Sequence, residues 1–196
     1  MSKHVSRRQF LKRTTAGTMA AGLLGSGRWA ASQSSDEKLK IAVIGVAGRG
    51  AGNLAGVIGE NIVGLCDVDD KRLAKAAAGV PGAKTYNDFR KMLDELGDQI
   101  EAVVVSTPDH VHAVAALRAM KMGKHCYCEK PLAHNVTEAR LMAKVAAEKK
   151  LATQMGTQIH ATDNYRRVVE LVRSGCVGPI GEVHVWCGKG WGGGER

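Results

Sequence analysis

Aromatic residues make up only 4% of this 196-residue chain, too few for the aromatic-rich strands and frequent turns of an all-β sandwich. Its five cysteines are odd in number and set no disulfide framework. Cys126 and Cys128 stand one residue apart, a spacing wrong for a zinc knuckle, whose thiolates need at least two intervening residues. All five are expected to be mostly buried thiols, and no metal site is expected. After residue 36 no stretch is long and apolar enough to span a bilayer, and no internal repeat is visible. Acids are missing before Asp36, whereas Lys3, Arg7, Arg8, Lys12, Arg13 and Arg28 all lie there. Without these six, 22 basic residues stand against 19 acidic ones, so most of the net charge of +9 belongs to the amino terminus. The remaining bases are scattered, with no dense patch and no interleaved aromatics, which argues against a nucleic-acid partner.

What is present is a globular composition, 44% hydrophobic and 24% charged, with 24 glycines. The amino terminus reads as a targeting segment. Ser6-Arg7-Arg8-Gln9-Phe10-Leu11-Lys12 is a twin-arginine export pattern, followed by a weakly apolar stretch from about Thr14 to Leu24. Ala30-Ala31-Ser32 is a small-residue cleavage site. Residues 1–32 are therefore expected to be a signal peptide, and the location periplasmic or otherwise exported. No membrane association beyond export is expected. A passenger of that pathway folds in the reducing cytoplasm, in keeping with unpaired thiols.

From Leu39 onward, short apolar runs alternate with longer amphipathic ones. Strands are expected at Lys40–Gly45, Asn61–Asp67, Lys84–Tyr86, Glu101–Ser106, a run ending at Glu129-Lys130, and Leu151–Met155. Helices are expected from the glycine turn to about Gly59, over Asp69–Val80, over Asp88–Leu96 with Asn87 as cap, over Asp109–Met122, and near Thr137–Lys149. In the fourth of these, Val111, Val114, Leu117 and Met120 hold core spacing. Strands alternating with helices of ten or more residues specify an α/β fold with a doubly wound parallel sheet. The expected domain spans 33–157. A helix at Asn164–Ser174 and a strand at Gly181–Cys187 then open a second domain over 158–196. A lone strand completes no domain, so the chain reads as an amino-terminal fragment.

Four clusters carry chemistry. Gly45-Val46-Ala47-Gly48-Arg49-Gly50 follows a strand and opens a helix, where a dinucleotide's pyrophosphate meets backbone amides. Ala47 occupies the place of the usual second glycine, with Gly48 beside it. Asp67 closes the second strand 22 residues after Gly45, where an acid holds the adenosine ribose hydroxyls and repels a 2′-phosphate. The cofactor is thus read as NAD; Arg49 and Arg72 would offer a 2′-phosphate its partner, so NADP stays open. Ser106-Thr107-Pro108-Asp109-His110-Val111-His112 leaves the fourth strand and starts a helix, with Thr107 and Pro108 facing the cofactor. His110 is read as solvated. Finally, Pro131 cannot donate to a ladder, so the fifth strand stops with Glu129 and Lys130 at its carboxyl end, the ligand side of an open parallel sheet. A lysine beside an oxidised nicotinamide meets a like charge and loses water, and both favour the neutral form that can take an alcohol proton.

The ordered set GVAGRG, CDVD, STPDHVH and CEKPLAHN resembles the glucose–fructose oxidoreductase/inositol dehydrogenase/MocA family, with Glu-Lys-Pro its most specific element. The resemblance covers residues 39–187. It implies Lys130 as catalytic lysine and Asp67 as ribose acid, with Thr107, Pro108, His112 and Glu129 as nicotinamide-side contacts. It also implies that the first domain is a Rossmann domain, followed by an α/β domain with a large open sheet that supplies much of a sugar or polyol site and a homo-oligomer interface. Many members have Arg after the sixth strand, where this chain reads Gly156-Thr157-Gln158-Ile159-His160; Gln158 and His160 are the candidate substrate residues there. The expected activity is NAD(P)-dependent oxidation of a sugar or polyol. The alternatives are an NAD-dependent glycoside hydrolase of the same superfamily and a dinucleotide binder without catalysis.

Overall fold

A computed structural model of the chain describes residues 38–186. The twin-arginine segment and Cys187 lie outside them. Six strands form one parallel sheet: β1 Lys40–Ile44, β2 Asn61–Cys66, β3 Lys84–Tyr86, β4 Ala102–Val105, β5 His125–Glu129 and β6 Thr153–Gly156. Their spatial order is β3-β2-β1-β4-β5-β6. The helices are α1 Arg49–Gly56, α2 Asp70–Ala78, α3 Phe89–Leu96, α4 His112–Lys121, α5 Val136–Glu148 and α6 Asp163–Arg173. This is the expected doubly wound α/β arrangement. Its chain reversal lies between β1 and β4, where such sheets open a crevice outside their carboxyl ends.

Strand composition follows from double-sided burial. All four residues of β4, Ala-Val-Val-Val, are buried, as a central parallel strand requires. Alternate residues feed two cores. Val43, Leu65 and Val104 meet Leu54 of α1 and Leu73 of α2, while Ile44, Val103 and Val105 meet the residues of α3, α4 and α5. Met92, Leu93 and Leu96 of α3 are fully buried, each contributing roughly 1.5–3 kcal/mol.

Several local expectations change. Asp88, not Asn87, caps α3: its carboxylate accepts from Arg90 N at 2.8 Å and pairs with the Arg90 guanidinium at 2.7 Å. Those bonds hold the Asp88 carboxyl down at about 2. Asn87 is spent elsewhere, donating to the Asp67 carbonyl and to Asp70. The segment from Asp109 begins as a 3₁₀ turn, Asp109–Val111, and becomes α-helical only at His112. Its buried face is His112, Ala113, Ala115, Ala116, Ala119 and Met120, while Val114 is 55% exposed. Small alanines let α4 lie close to β4 and β5, a packing that hydrophobic spacing alone misassigns. The expected strand at Gly181–Cys187 has no ladder over its described part, Gly181–Trp186, because no strand among the described residues pairs with it.

Burial pushes the thiols of Cys66, Cys126 and Cys128 up to about 12, so they pack as small apolar groups and stay unreactive. Cys176 departs from the expectation of burial, since it is exposed beyond α6.

Candidate functional site

Each glycine of the β1–α1 turn is held there by a different constraint. Gly45 sits at φ +86°, and a Cβ there would come 2.5 Å from the Ser106 carbonyl oxygen. Gly50 packs so tightly that a Cβ would drive into the Gly45 carbonyl oxygen. Gly48 has φ +56° and ψ −118°, a conformation open to glycine, with nothing within 4 Å of where a Cβ would stand. The special backbone conformation therefore falls on Gly48, and Ala47 needs none. Its carbonyl instead accepts from Gly50 N at 2.9 Å, closing the turn.

Asp67, at the end of β2, is anchored on both oxygens. Oδ2 accepts from Val46 N and Oδ1 from Asp69 N, each at 3.0 Å. Asp69 caps α2 by accepting from Lys71 N and Arg72 N, and its other oxygen pairs with Arg72 Nε at 3.3 Å. A cavity of about 600 Å³ opens between these groups, lined by Gly45, Ala47, Asp67, Thr107 and Pro108 among others. Asn87, Val68 and His110 also line it, although sequence reasoning left His110 as solvated and gave the other two no ligand role. Gly48 faces a neighbouring hollow of about 350 Å³ with Arg72 and Lys75. Arg49, Gly50, His112, Glu129 and Lys130 do not line the main cavity.

His112 is a correction in kind. The ring is 1% exposed, with Nδ1 2.6 Å from the Pro131 carbonyl oxygen and Nε2 2.7 Å from the Thr107 carbonyl oxygen. The ring is thus buried between two backbone carbonyls, to one of which a neutral imidazole donates. It ties the loop after β4 to the loop after β5 from below. Lys130 stands exposed at the end of β5, next to a cis Lys130–Pro131 bond.

Glu129, 4% exposed, lies at the centre of a polar network. Asn53 of α1 donates through Nδ2 to Glu129 Oε1 at 2.9 Å and to Ser106 Oγ at 2.8 Å. Gln158 Nε2 donates to the same Glu129 oxygen and to Tyr127 Oη, the latter at 2.8 Å. Burial pushes the Tyr127 phenol up, Gln158 opposes this by donating to it, and the Glu129 carboxylate adds to the rise. Gly156 must be bare, because a Cβ there would stand 2.7 Å from Glu129 Oε1. Gln158, expected as a substrate residue, thus has its amide protons engaged, whereas His160 stacks on Tyr165 at 4.8 Å on the exposed side. Sequence reasoning missed Asn53, Ser106 and Tyr127; the sole signal was a carboxamide one turn into a helix that opens on glycine.

These residues fit a dinucleotide. The open space before Gly48 accepts a bulky group close to backbone. Thr107 Oγ1, at the crevice, is buried without a hydrogen-bond partner, an orphan that a ligand would satisfy. Fold and crevice together define a dinucleotide-binding Rossmann domain. Residues 39–157 match the Gfo/Idh/MocA model, described as an oxidoreductase family with an NAD-binding Rossmann fold. The chain belongs to that family. It is 34% identical to an inositol 2-dehydrogenase of Rubrobacter xylanophilus over 152 residues, 74% of this chain and 43% of that protein. It is 29% identical to a glycosyl hydrolase family 109 protein of Shewanella pealeana, with 90% of this chain and 44% of that protein matched. Among solved structures, myo-inositol 2-dehydrogenase from Lactobacillus plantarum superposes with a TM-score of 0.67 at 28% identity, covering 74% of this chain and 43% of that one. The chain therefore spans less than half the length of these relatives.

Proposed function

We propose that this chain is the cofactor-binding portion of an exported NAD-dependent oxidoreductase that acts on a sugar or polyol. The observation that carries the reading is convergence: the glycine turn, Asp67 and Lys130 all stand at the carboxyl edge of one sheet, on either side of its chain reversal. Backbone N–H groups at the start of α1, with Gly45 and Gly48, would hold the pyrophosphate, and Asp67 the adenosine ribose. Thr107 and Pro108 would flank the nicotinamide half. The bound nicotinamide supplies the hydride acceptor. Lys130 Nζ takes the hydroxyl proton as hydride leaves the same carbinol carbon, so the alcohol becomes a carbonyl. His112 holds the two loops that frame that lysine. The inositol dehydrogenase relatives support a polyol substrate, and a homo-oligomer is expected of the whole protein. Incubating the full-length enzyme with NAD and a panel of polyols and aldoses, while following reduced nicotinamide, tests this directly; no reduction with any of them overturns it.

A second reading is favoured by the Shewanella relative, whose match takes in 90% of this chain. In it the hydride is borrowed and returned, and a glycosidic bond is cleaved with no net reduction of cofactor. Release of sugar from a glycoside at constant NAD would select it.

Asp67 sets the cofactor preference. NAD(H) should bind about tenfold or more tightly than NADP(H), the scale of one repelled charge near a protein surface. Titration of cofactor-stripped protein with both measures it, and equal affinities would remove the role given to Asp67. Export rests on Arg7 and Arg8. Changing both to Lys should retain the protein in the cytoplasm, as cell fractionation would reveal; continued export of that variant would end the periplasmic reading.

A further inference from the structure

Among the described residues Glu129 is the one acid in the buried core, and every group within hydrogen-bond distance of its carboxylate is a neutral donor. Asn53 and Gln158 give amide protons to Oε1, with Tyr127 Oη at 3.4 Å, while Oε2 meets only the Lys130 backbone N–H, also at 3.4 Å. All of these contacts are donated to the carboxylate, and it returns none. Neither Arg49, at the start of α1, nor Lys130, next in the chain, forms an ion pair with it among the described residues. A buried charge is ordinarily paired, because burial of an unpaired one is costly. Here the hydrogen-bond donors are neutral, and the nearby Arg49 cation, whose charge lowers the Tyr127 phenol, makes no ion pair with the carboxylate. The surroundings are built around it: Gly156 gives up a side chain to make room, and Asn53 spends both amide protons on Glu129 and Ser106.

The location says what such a charge does. Glu129 ends β5, in the β4–β6 half of the sheet, which in a doubly wound dinucleotide fold serves the second mononucleotide. The two forms of a nicotinamide cofactor differ there by one charge, since the oxidised ring is a cation and the reduced ring is neutral. We propose that the buried Glu129 carboxylate, which has no ion-pair partner among the described residues, biases this site toward the oxidised dinucleotide, with Asn53 and Gln158 as the positioning residues that hold it in place. This rests on the dinucleotide reading above and adds to it an electrostatic preference between redox forms, independent of Lys130 and of the substrate.

The test is binding, not turnover. Full-length protein, Glu129→Gln, Gln158→Lys and Asn53→Ala are each titrated calorimetrically with NAD⁺ and with NADH. Glu129→Gln removes the charge at constant shape, and Gln158→Lys cancels it in place with a neighbouring cation. In both, affinity for NAD⁺ relative to NADH should fall by roughly tenfold. Asn53→Ala removes one of the two amide donors that hold the carboxylate, so the preference for NAD⁺ over NADH should shrink, but by less than in Glu129→Gln. A melting curve on each variant identifies any that fails to fold; if Glu129→Gln fails, Gln158→Lys carries the comparison alone. Should the charge-removing variants weaken NAD⁺ and NADH equally, Glu129 is a structural residue only and the proposal is overturned. Wild-type protein that binds neither form removes the dinucleotide reading itself, and this inference with it.

Discussion

Replacing Lys130 with alanine in the full-length enzyme should lower turnover by roughly a hundredfold or more, the range for losing an acid/base group, while dinucleotide affinity stays nearly unchanged. The split follows from placement. The main cavity is lined from Gly45, Asp67 and Thr107, and Lys130 stands outside it at the strand end. Lys130→Arg should fail almost as badly, because a guanidinium keeps its proton and cannot serve as base. Small primary amines added to the alanine variant should restore part of the rate. The control is Lys124, immediately before β5 and therefore at the opposite edge of the sheet, where alanine should be nearly silent. Steady-state kinetics with the physiological substrate decide the matter. Normal turnover in Lys130→Ala would return the lysine to a solvated strand end.

Gly50→Ala should be the most damaging single methyl group in the domain. Its Cβ would drive into the Gly45 carbonyl oxygen and come 3.3 Å from Ser106 Cβ. The first of these is main chain, so no side-chain rotation relieves it. Relief requires α1 to move away from β1, which strains the Gly45 N bond to the Cys66 carbonyl and carries Asn53 off Glu129. Forced overpacking of this kind costs about 1–3 kcal/mol, and dinucleotide affinity should drop by tenfold or more because the displaced amides are those expected to face the pyrophosphate. Gly52→Ala is the counterpart two residues on. There the nearest neighbour is the tip of Arg49 at 4.0 Å, and helix propensity should make the change neutral or stabilising by up to about 1 kcal/mol. Thermal melts and cofactor titrations on the pair separate steric from helical effects. A Gly50→Ala protein as stable as wild type would mean the turn is looser than it looks.

The strands are legible in the sequence because double-sided burial leaves an unbroken mark: Val103, Val104 and Val105 can be little else between two polar segments. The glycine turn and Asp67 are legible because backbone geometry and charge there tolerate few residue types. The face of α4 is not. His112 and four alanines go inward and Val114 outward, a choice set by how closely the helix approaches the sheet, which periodicity does not encode. The Glu129 network is hidden for a related reason. Asn53, Tyr127 and Gln158 come from three different elements, and only the assembled sheet brings their polar atoms onto one carboxylate, with Ser106 joined to it through Asn53.

Asp67 places a constraint on anyone who would re-engineer this domain. The carboxylate proposed to choose between the two dinucleotides also clasps Val46 N and Asp69 N, so it fastens the β1–α1 turn to the start of α2. A substitution that invites a 2′-phosphate, such as Asp67→Ser, surrenders one or both clasps and loosens the turn that must receive the pyrophosphate. Cofactor switching here therefore calls for a second change that re-secures the Val46 amide, and variants selected for NADP use should arrive as pairs.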